Sequence, residues 1–462
     1  MIRRLTEGSV LFVTVLKWVA LATAVGAIVG LSTGVFLKAL NWSTAFSGHY
    51  AYYFLILPVA FFASSLLVKY LATEAAGHGT EKVIEAIHQR SGKIKPLVVP
   101  VKLAATVITL AAGGSAGKEG PCAQIGAGLS SLFADLLRFD DGDRKKLVIC
   151  GISAGFASVF GTPIAGAIFG VEVLFVGSVL YEVLLPSFIA GITAYQVSAS
   201  LGVHYFYHPI AFMPVFSEAF LLKVVLAGVF FGLCAFLMIE VLDLGEKLSS
   251  KIKASMPMKG LLGGAFLIGL TFLFSTRYLG LGLDTIEASL QGGSVEWYAF
   301  LAKIVFTTIT LSFGGSGGIV TPIFFVGATS GILLADVTGL DKATFAAIGM
   351  VSLLAGATNT PLAASIMAVE LYGPSVAPYA TVACVVSFLM TGHRSVYPSQ
   401  ILSVTKSSSL HVELGKEMED ITTQVRLREK SLIMTGMKMV GKVKKMGKGK
   451  GKDNPERDSE KK

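Results

Sequence analysis

Apolar residues occur in long runs that short polar connections separate over most of the chain. A helix needs about 20 apolar residues to cross the roughly 30 Å hydrocarbon core of a membrane, and several of these runs are shorter. The pattern therefore predicts a bundle of membrane helices of unequal length. The runs cover residues 10–40, 51–72, 96–112, 121–137, 147–160, 163–176, 179–201, 218–242, 260–274, 298–313, 319–336, 343–357, 361–372 and 375–391.

Two glycine-rich segments interrupt this pattern: GGSAGKEGP at 113–121, the first glycine break, and GGSGGIVTP at 314–322, the second glycine break. Irregular backbone at membrane depth survives only where it is buried in protein or lines a wet cavity. Short membrane segments broken by glycine and proline indicate a transport site. Each break precedes a short apolar segment, which predicts helices that begin at about residues 119 and 320.

Composition agrees with a membrane protein. Of the 462 residues, 53% are hydrophobic and only 15% are charged, against about 25% charged in soluble domains, and the mean hydropathy is +0.68. Soluble, disordered, fibrous and disulfide-scaffold classes are excluded. The net charge of +9 comes largely from residues 430–462. We expect residues 406–462 to form a basic cytoplasmic tail near anionic lipid, rather than a nucleic-acid-binding segment.

Lys and Arg predict the orientation. Both termini and the connections 90–102 and 245–259 are basic, whereas the connection 202–217 has no Lys or Arg. The positive-inside rule places residues 1–14 and the tail in the cytoplasm and 202–217 outside. The four cysteines lack paired spacing and lie among apolar residues, so neither disulfides nor a metal site is predicted. No cofactor is expected.

The chain contains an internal repeat. Residues 102–127 and 303–328 align with a constant offset of 201 and share twelve identities in 26 positions. Residues 162–173 and 360–371 also match, at six of 12 positions. The blocks follow the same order, which predicts two membrane halves, 15–245 and 246–405. In transporters built this way the site lies where the repeats meet.

The glycine breaks suit an anion. A helix N-terminus carries about half a positive charge and unpaired N–H groups, so two such ends could bind an anion without a lysine. A full positive charge would bind it too tightly for conduction. Glu119 lies inside the first break, where its carboxylate would compete with the anion until it is protonated. The alternatives are close helix packing by the glycines and a glutamate that caps its own helix.

An enzymatic alternative rests on the G-x-S-x-G spacing in both breaks, at Gly113–Gly117 and Gly314–Gly318. This is the spacing of a hydrolase nucleophile elbow. A hydrolase needs one serine with a histidine base, whereas this motif is duplicated and has no obvious histidine partner. We therefore expect no enzyme. A cation-coupled carrier is disfavoured because the breaks offer amide ends and few acidic residues.

Together these motifs resemble the CLC family of voltage-gated chloride channels and chloride/proton exchangers, over residues 15–405. GKEGP at 117–121 resembles the motif that carries the family's external gate, which implies Glu119 as the gate. The resemblance further implies a set of anion-binding residues and a set of pore-motif residues. The anion-binding set is His78, Gly79, Gly120, Ile319, Val320 and Tyr397, and the pore-motif set is Gly117, Lys118, Pro121, Gly317, Gly318 and Pro322.

The family resemblance also implies the fold and the transported species. The expected fold is an all-α polytopic membrane protein in which two inverted halves contain broken and short helices. A homodimer in the plasma membrane is expected, with a separate pore in each subunit and no paired regulatory domain after the membrane part. The expected substrates are chloride, other small anions and possible coupled protons.

Two residues depart from the family pattern. His78 stands where the family has a serine, and an imidazole changes the donors that an anion meets. Val173 stands where exchangers of the family carry an inner proton-relay glutamate, next to Glu172, for which we expect a structural role. A hydrocarbon side chain cannot accept a proton, so the sequence favours a passive gated chloride channel, with a chloride/proton antiporter that uses another inner proton path as the alternative.

Overall fold

The computed structural model describes residues 2–205 and 218–425. Most of the connection 202–217 and the whole basic stretch 430–462 lie outside the described residues. The first eight helices are α1 Ile2–Gly48, α2 Leu57–Leu71, α3 Thr80–Arg90, α4 Val98–Ala111, α5 Glu119–Leu136, α6 Asp141–Phe160, α7 Pro163–Glu172 and α8 Tyr181–Ser200. The next eight are α9 Glu218–Lys251, α10 Met256–Leu273, α11 Leu283–Leu290, α12 Ala299–Ser312, α13 Val320–Thr338, α14 Lys342–Thr358, α15 Pro361–Tyr372 and α16 Ala377–Met390.

Strands are short and few in the described part of the chain. β1, Phe175–Val176, pairs in parallel with β2, Ile401–Leu402. β3, Leu410–His411, pairs antiparallel with β4, Gln424–Val425. Single 3-10 turns cover Tyr53–Ile56, Thr73–Ala75, Thr276–Tyr278, Pro374–Val376 and Met418–Asp420. The predicted all-α polytopic fold is confirmed, apart from these four two-residue strands.

Helix lengths agree with the uneven apolar runs. Six stretches of helix are long and apolar enough to cross a membrane, and other apolar helices are only 10–17 residues long. α3 belongs to neither group. The six are Glu7–Gly48, Tyr53–Leu71, Tyr181–Ser200, Glu218–Lys251, Met256–Leu273 and Val320–Thr338.

The second eight helices repeat the first eight in order. α4 and α12 are both 14 residues long, and their ends differ by the offset of 201 found in the sequence. The helices of the pair α6 and α14 also begin with the same kind of N-cap. Asp140 caps α6 by accepting the Asp143 N–H at 2.8 Å, and Asp341 caps α14 by accepting the Thr344 N–H at 2.8 Å. Aspartate at an N-cap satisfies helix N–H groups that have no partner in their own helix.

This order changes one predicted boundary. The division expected between residues 245 and 246 falls inside α9, which begins at Glu218. Because α9 is the counterpart of α1 and packs against α12, α14 and α16, it belongs to the second half. The division therefore lies between α8 and α9. The basic connection 245–259 covers the end of α9 and the start of α10, so it lies within the second half.

Two glutamates join the halves reciprocally. Glu172 at the end of α7 accepts the N–H groups of Leu362 (3.0 Å) and Ala363 (2.8 Å) at the start of α15. Its repeat partner Glu370, in α15, accepts two N–H groups at the start of α7, those of Ile164 (3.0 Å) and Ala165 (2.8 Å). A carboxylate at a helix N-terminus is stabilised by the helix dipole. Both side chains therefore hold the two halves together, which agrees with the structural role expected for Glu172.

The segment after residue 405 begins inside the folded body. The Lys406 Nζ donates to Asn359 Oδ1 at 2.6 Å and to the Phe388 carbonyl at 2.7 Å. Burial lowers the pKa of the Lys406 ammonium to about 7. β3 and β4 follow within the range that the sequence assigned to the tail. The predicted tail boundary at 405/406 thus precedes an ordered segment that packs on α14 and α16.

Candidate functional site

The two glycine breaks meet each other. The Gly117 N–H donates to the Gly318 carbonyl at 2.7 Å, and the Gly318 N–H donates back to the Gly117 carbonyl at 2.6 Å. This isolated antiparallel bridge lies just before α5 and α13. α5 begins at Glu119 and α13 at Val320, as the sequence predicted. The N-termini of two short helices, one from each half, are therefore brought together.

Hydroxyl groups from the preceding helices hold the breaks in place. The Ser115 N–H donates to Thr310 Oγ1 at 3.0 Å, and the Ser316 N–H donates to Thr109 Oγ1 at 3.0 Å. Each break is thus fastened to the helix of the opposite half. Buried backbone N–H groups need such partners, because an unpaired one is costly. The Ser115 hydroxyl lies 3.1 Å from Thr307 Oγ1 of α12, so this serine contacts the opposite half through both its backbone and its side chain.

Glu119 reaches across to the other half. Its side chain is only 1% exposed. Oε2 accepts the Thr321 N–H at 3.1 Å, and Oε1 accepts the Thr321 hydroxyl. The carboxylate therefore occupies the N-terminus of α13, beside the predicted anion-binding residues Ile319 and Val320. Glu119 therefore does more than cap its own helix, because its carboxylate contacts a residue of the other half.

The loop before α3 packs its backbone against the start of α5. Gly79 has φ +86, in the region that favours glycine. A Cβ added at Gly79 would collide with the Gly120 carbonyl, and one added at Gly120 would collide with the His78 carbonyl. Both positions need glycine because two backbones approach here without room for a side chain. The contact places His78 next to the helix end that carries Glu119.

The rings of His78 and Tyr397 are neighbours, and each side chain has a buried polar atom without a hydrogen-bond partner among the described residues. Their ring centroids are 6.3 Å apart. The Tyr397 hydroxyl and the His78 Nδ1 are buried, and neither has a hydrogen-bond partner among the described residues. Buried polar groups are normally paired. A desolvated anion needs unpaired donors of this kind, and the Tyr397 O–H can supply one. Tyr397 is buried as a whole residue, whereas His78 is only partly buried.

The remaining pore-motif residues lie at the two breaks. Lys118 is the N-cap of α5, and its carbonyl accepts the Cys122 N–H at 3.2 Å. The other pore-motif residues are at the bridge or in the first turns of α5 and α13: Gly117, Pro121, Gly317, Gly318 and Pro322.

Val173 lies away from the two breaks, immediately after α7. It is fully buried, and its carbonyl accepts a hydrogen bond from Gln400 Nε2 at 2.7 Å.

The sequence analysis missed Lys102 as a site residue. Lys102 is fully buried, and its Nζ donates to the carbonyls of Ala75 (3.2 Å) and Gly77 (2.6 Å), just before His78. Its repeat partner Lys303 donates to Tyr278 and Gly280 in the same way. The ammonium adds positive potential beside the predicted anion site. The sequence does mark this lysine, because Lys102 and Lys303 are the first residues of the repeated segments 102–127 and 303–328.

Serine in place of His78 tests this arrangement. Replacing the imidazole removes an N–H and leaves a smaller hydroxyl, so the anions meet different donors. A net hydrogen bond is worth about 1 kcal/mol, so we expect His78→Ser to change the chloride-to-bromide and chloride-to-nitrate permeability ratios by about two- to tenfold. The matched control is His49→Ser, because His49 is exposed at the end of α1. Unchanged ratios would mean that His78 does not line the site.

Comparison with known proteins identifies similar chains. Residues 59–392 match the family described as voltage gated chloride channel. The chain is 36% identical over 398 residues to a "Chloride/fluoride channel protein" of Pseudomonas syringae pv. tomato, with 84% of this chain and 87% of that protein covered. It is 28% identical to the "H(+)/Cl(-) exchange transporter ClcA" of Klebsiella pneumoniae subsp. pneumoniae, with 76% and 80% covered.

Two solved structures are similar in fold. A CLC-type fluoride/proton antiporter superposes with a TM-score of 0.80 at 29% identity, covering 84% of this chain and 98% of that one. A slow cyanobacterial Cl-/H+ antiporter superposes with a TM-score of 0.72 at 21% identity, covering 81% and 94%. The second likeness concerns the fold alone.

Proposed function

Because the chain belongs to the voltage-gated chloride channel (CLC) family of anion channels and transporters, we propose that it moves a small halide, chloride or fluoride, across the membrane in exchange for protons. The single observation that carries the proposal is the position of the Glu119 carboxylate. It accepts two hydrogen bonds from Thr321 at the N-terminus of α13. A carboxylate and a halide are both monovalent anions, so each can occupy these donors only when the other leaves.

The proposed mechanism follows from this competition. A halide loses water and is compensated by the N-termini of α5 and α13, the Tyr397 hydroxyl and the His78 imidazole. No full positive charge contacts it directly, so it can leave again. Protonation of Glu119 removes the competing charge and releases the side chain from α13. One group then acts as the gate for the anion and as the acceptor for the proton.

We propose exchange rather than passive conduction for two reasons. The position of Glu119 supports a coupling of anion binding to protonation, and similar proteins include a CLC-type fluoride/proton antiporter and an H(+)/Cl(-) exchange transporter. The sequence by itself favoured a passive channel. That second candidate rests on Val173, which offers no proton acceptor, and on Glu172, whose carboxylate is held by two N–H groups of α15. The homodimer, the plasma membrane and the cytoplasmic termini stay predictions.

Proton movement in sealed liposomes separates the two candidates. With purified protein and an imposed chloride or fluoride gradient, we expect protons to move against their own gradient, in a direction set by the anion gradient. A pH-sensitive dye inside the liposomes and an anion-selective electrode outside measure both fluxes together. A protonophore should abolish the pH change but not the anion flux. Anion flux without coupled proton movement would instead identify a passive channel.

A further inference from the structure

A second buried carboxylate, Glu81, lies close to the predicted anion-binding residues His78 and Tyr397. Glu81 is in the first turn of α3, three residues after His78. Its side chain is 9% exposed. Oε1 accepts the Ser399 N–H at 3.0 Å and also the Ser399 hydroxyl, whereas Oε2 is buried without a hydrogen-bond partner among the described residues. Burying an unpaired carboxylate oxygen is costly. A proton on this oxygen, or a water beside it, would remove that cost.

Glu81 joins the two chain segments that line the predicted anion site. One is the loop of His78 and Gly79, which leads directly into α3. The other is the segment that carries Tyr397, two residues before Ser399. Both Glu81 and Glu119 lie close enough to act electrostatically on the Tyr397 hydroxyl. Tyr397 is thus within electrostatic range of both carboxylates, and the Thr80 side chain, at the start of α3, lies beside its hydroxyl.

We propose that Glu81 is the inner proton carrier of this transporter, in the role that Val173 cannot fill. This inference rests on the proposed exchange of a halide for protons. Glu81 takes a proton from water on its side of Tyr397, and the proton passes over water or the Tyr397 hydroxyl to the Glu119 carboxylate. Each carboxyl forms one O–H bond when it receives the proton and breaks it when the proton moves on.

The electrostatic surroundings of Glu81 suit this role. α3 is not among the membrane-spanning helices, and burial raises the pKa of the Glu81 carboxyl to about 7. The hydrogen bonds from Ser399 and the nearby charge of Lys82 oppose that rise, and Glu85 adds to it. Near the Glu81 end of α3, Lys102 donates to the Gly77 carbonyl, and Tyr397 is within electrostatic range. The other charged groups from neighbouring elements lie at the far end of α3: Glu417 accepts from Gln89, Glu74 pairs with Arg90, and Lys145 acts on His88. A carboxyl that titrates near neutral pH can both accept and release a proton during turnover.

Glutamine at position 81 separates proton transfer from a merely structural role. The amide oxygen of Glu81→Gln can still accept from Ser399, so the Tyr397 segment keeps its anchor, but the side chain cannot carry a proton. We expect anion flux to persist while protons moved per anion fall at least about tenfold. The matched control is Glu296→Gln, because the Glu296 carboxylate is exposed, pairs with Arg277 at 2.5 Å and is not among the groups that act on Glu81. This control should keep wild-type coupling.

Three outcomes would overturn the assignment or its premise, and they are distinguishable. Wild-type coupling in Glu81→Gln would exclude Glu81 as the carrier. Loss of anion flux and proton flux in equal proportion would make Glu81 a positioning residue. Absence of coupled proton movement in the unmodified protein would refute the exchange itself.

A second variant keeps the inference testable if Glu81→Gln does not fold. Ser399→Ala removes the hydroxyl donor but keeps the backbone N–H donor to Glu81. Because the Ser399 bonds lower the pKa of Glu81, their partial loss should raise it and shift the pH profile of coupled proton movement to higher pH. A purely structural contact would change the amount of flux but not its pH profile, so an unshifted profile would contradict the proposal.

Discussion

Glutamine in place of Glu119 should abolish proton coupling and remove the pH dependence of anion flux. The amide is close in shape to the protonated acid, so it resembles the state in which the gate has released the N-terminus of α13. It carries no charge to compete with the halide and has no titratable proton. Anion flux should therefore continue at acidic and neutral pH alike, whereas the unmodified protein should conduct more as Glu119 becomes protonated at lower pH. Flux measured from liposomes across a pH series tests this.

The control for this variant is another glutamate in the first turn of a helix. Glu182 is in the first turn of α8, is largely exposed and pairs with Lys146 at 2.8 Å. Glu182→Gln should keep both the pH profile and the coupling of the unmodified protein, because an exposed ion pair contributes little. An unchanged pH profile in Glu119→Gln would refute the gate assignment, even though the carboxylate lies on α13.

Alanine at Gly120 should reduce anion flux at least about tenfold, since a small misplacement of binding groups can cost a hundredfold in rate. The added Cβ would collide with the His78 carbonyl, so the loop before α3 and the start of α5 must move apart. Overpacking of this kind costs about 1–3 kcal/mol, which a folded membrane protein can survive. The expected result is thus a protein that purifies but conducts poorly, measured by anion efflux.

Gly269→Ala is the matched control for the glycine substitution. Gly269 is in α10, and a Cβ there would meet no atom within 4 Å. Alanine is also a better helix former than glycine. We expect flux from this variant to equal that of the unmodified protein. If Gly120→Ala conducts as well as Gly269→Ala, the close backbone approach between His78 and Gly120 does not shape the pore.

Much of the site was predictable because it is written in local patterns. Glycine breaks the preceding helix and frees the next N-terminus, so the starts of α5 and α13 could be placed from sequence. The duplicated pattern identified the second helix end from the first. An acid inside such a break marked Glu119. The boundary predicted at residue 245 was wrong because α9 runs without interruption from Glu218 to Lys251.

The sequence by itself determined the membrane class, the duplication, the positions of the glycine breaks and the presence of an acid, Glu119, inside the first of them. Only the tertiary structure decided what these groups contact. Glu119 binds a threonine 202 residues away, and Glu81 binds a serine 318 residues away. Local propensity and periodicity describe neighbours within a few residues along the chain. Contacts over such separations follow from how the two halves pack, and no local pattern reports that packing.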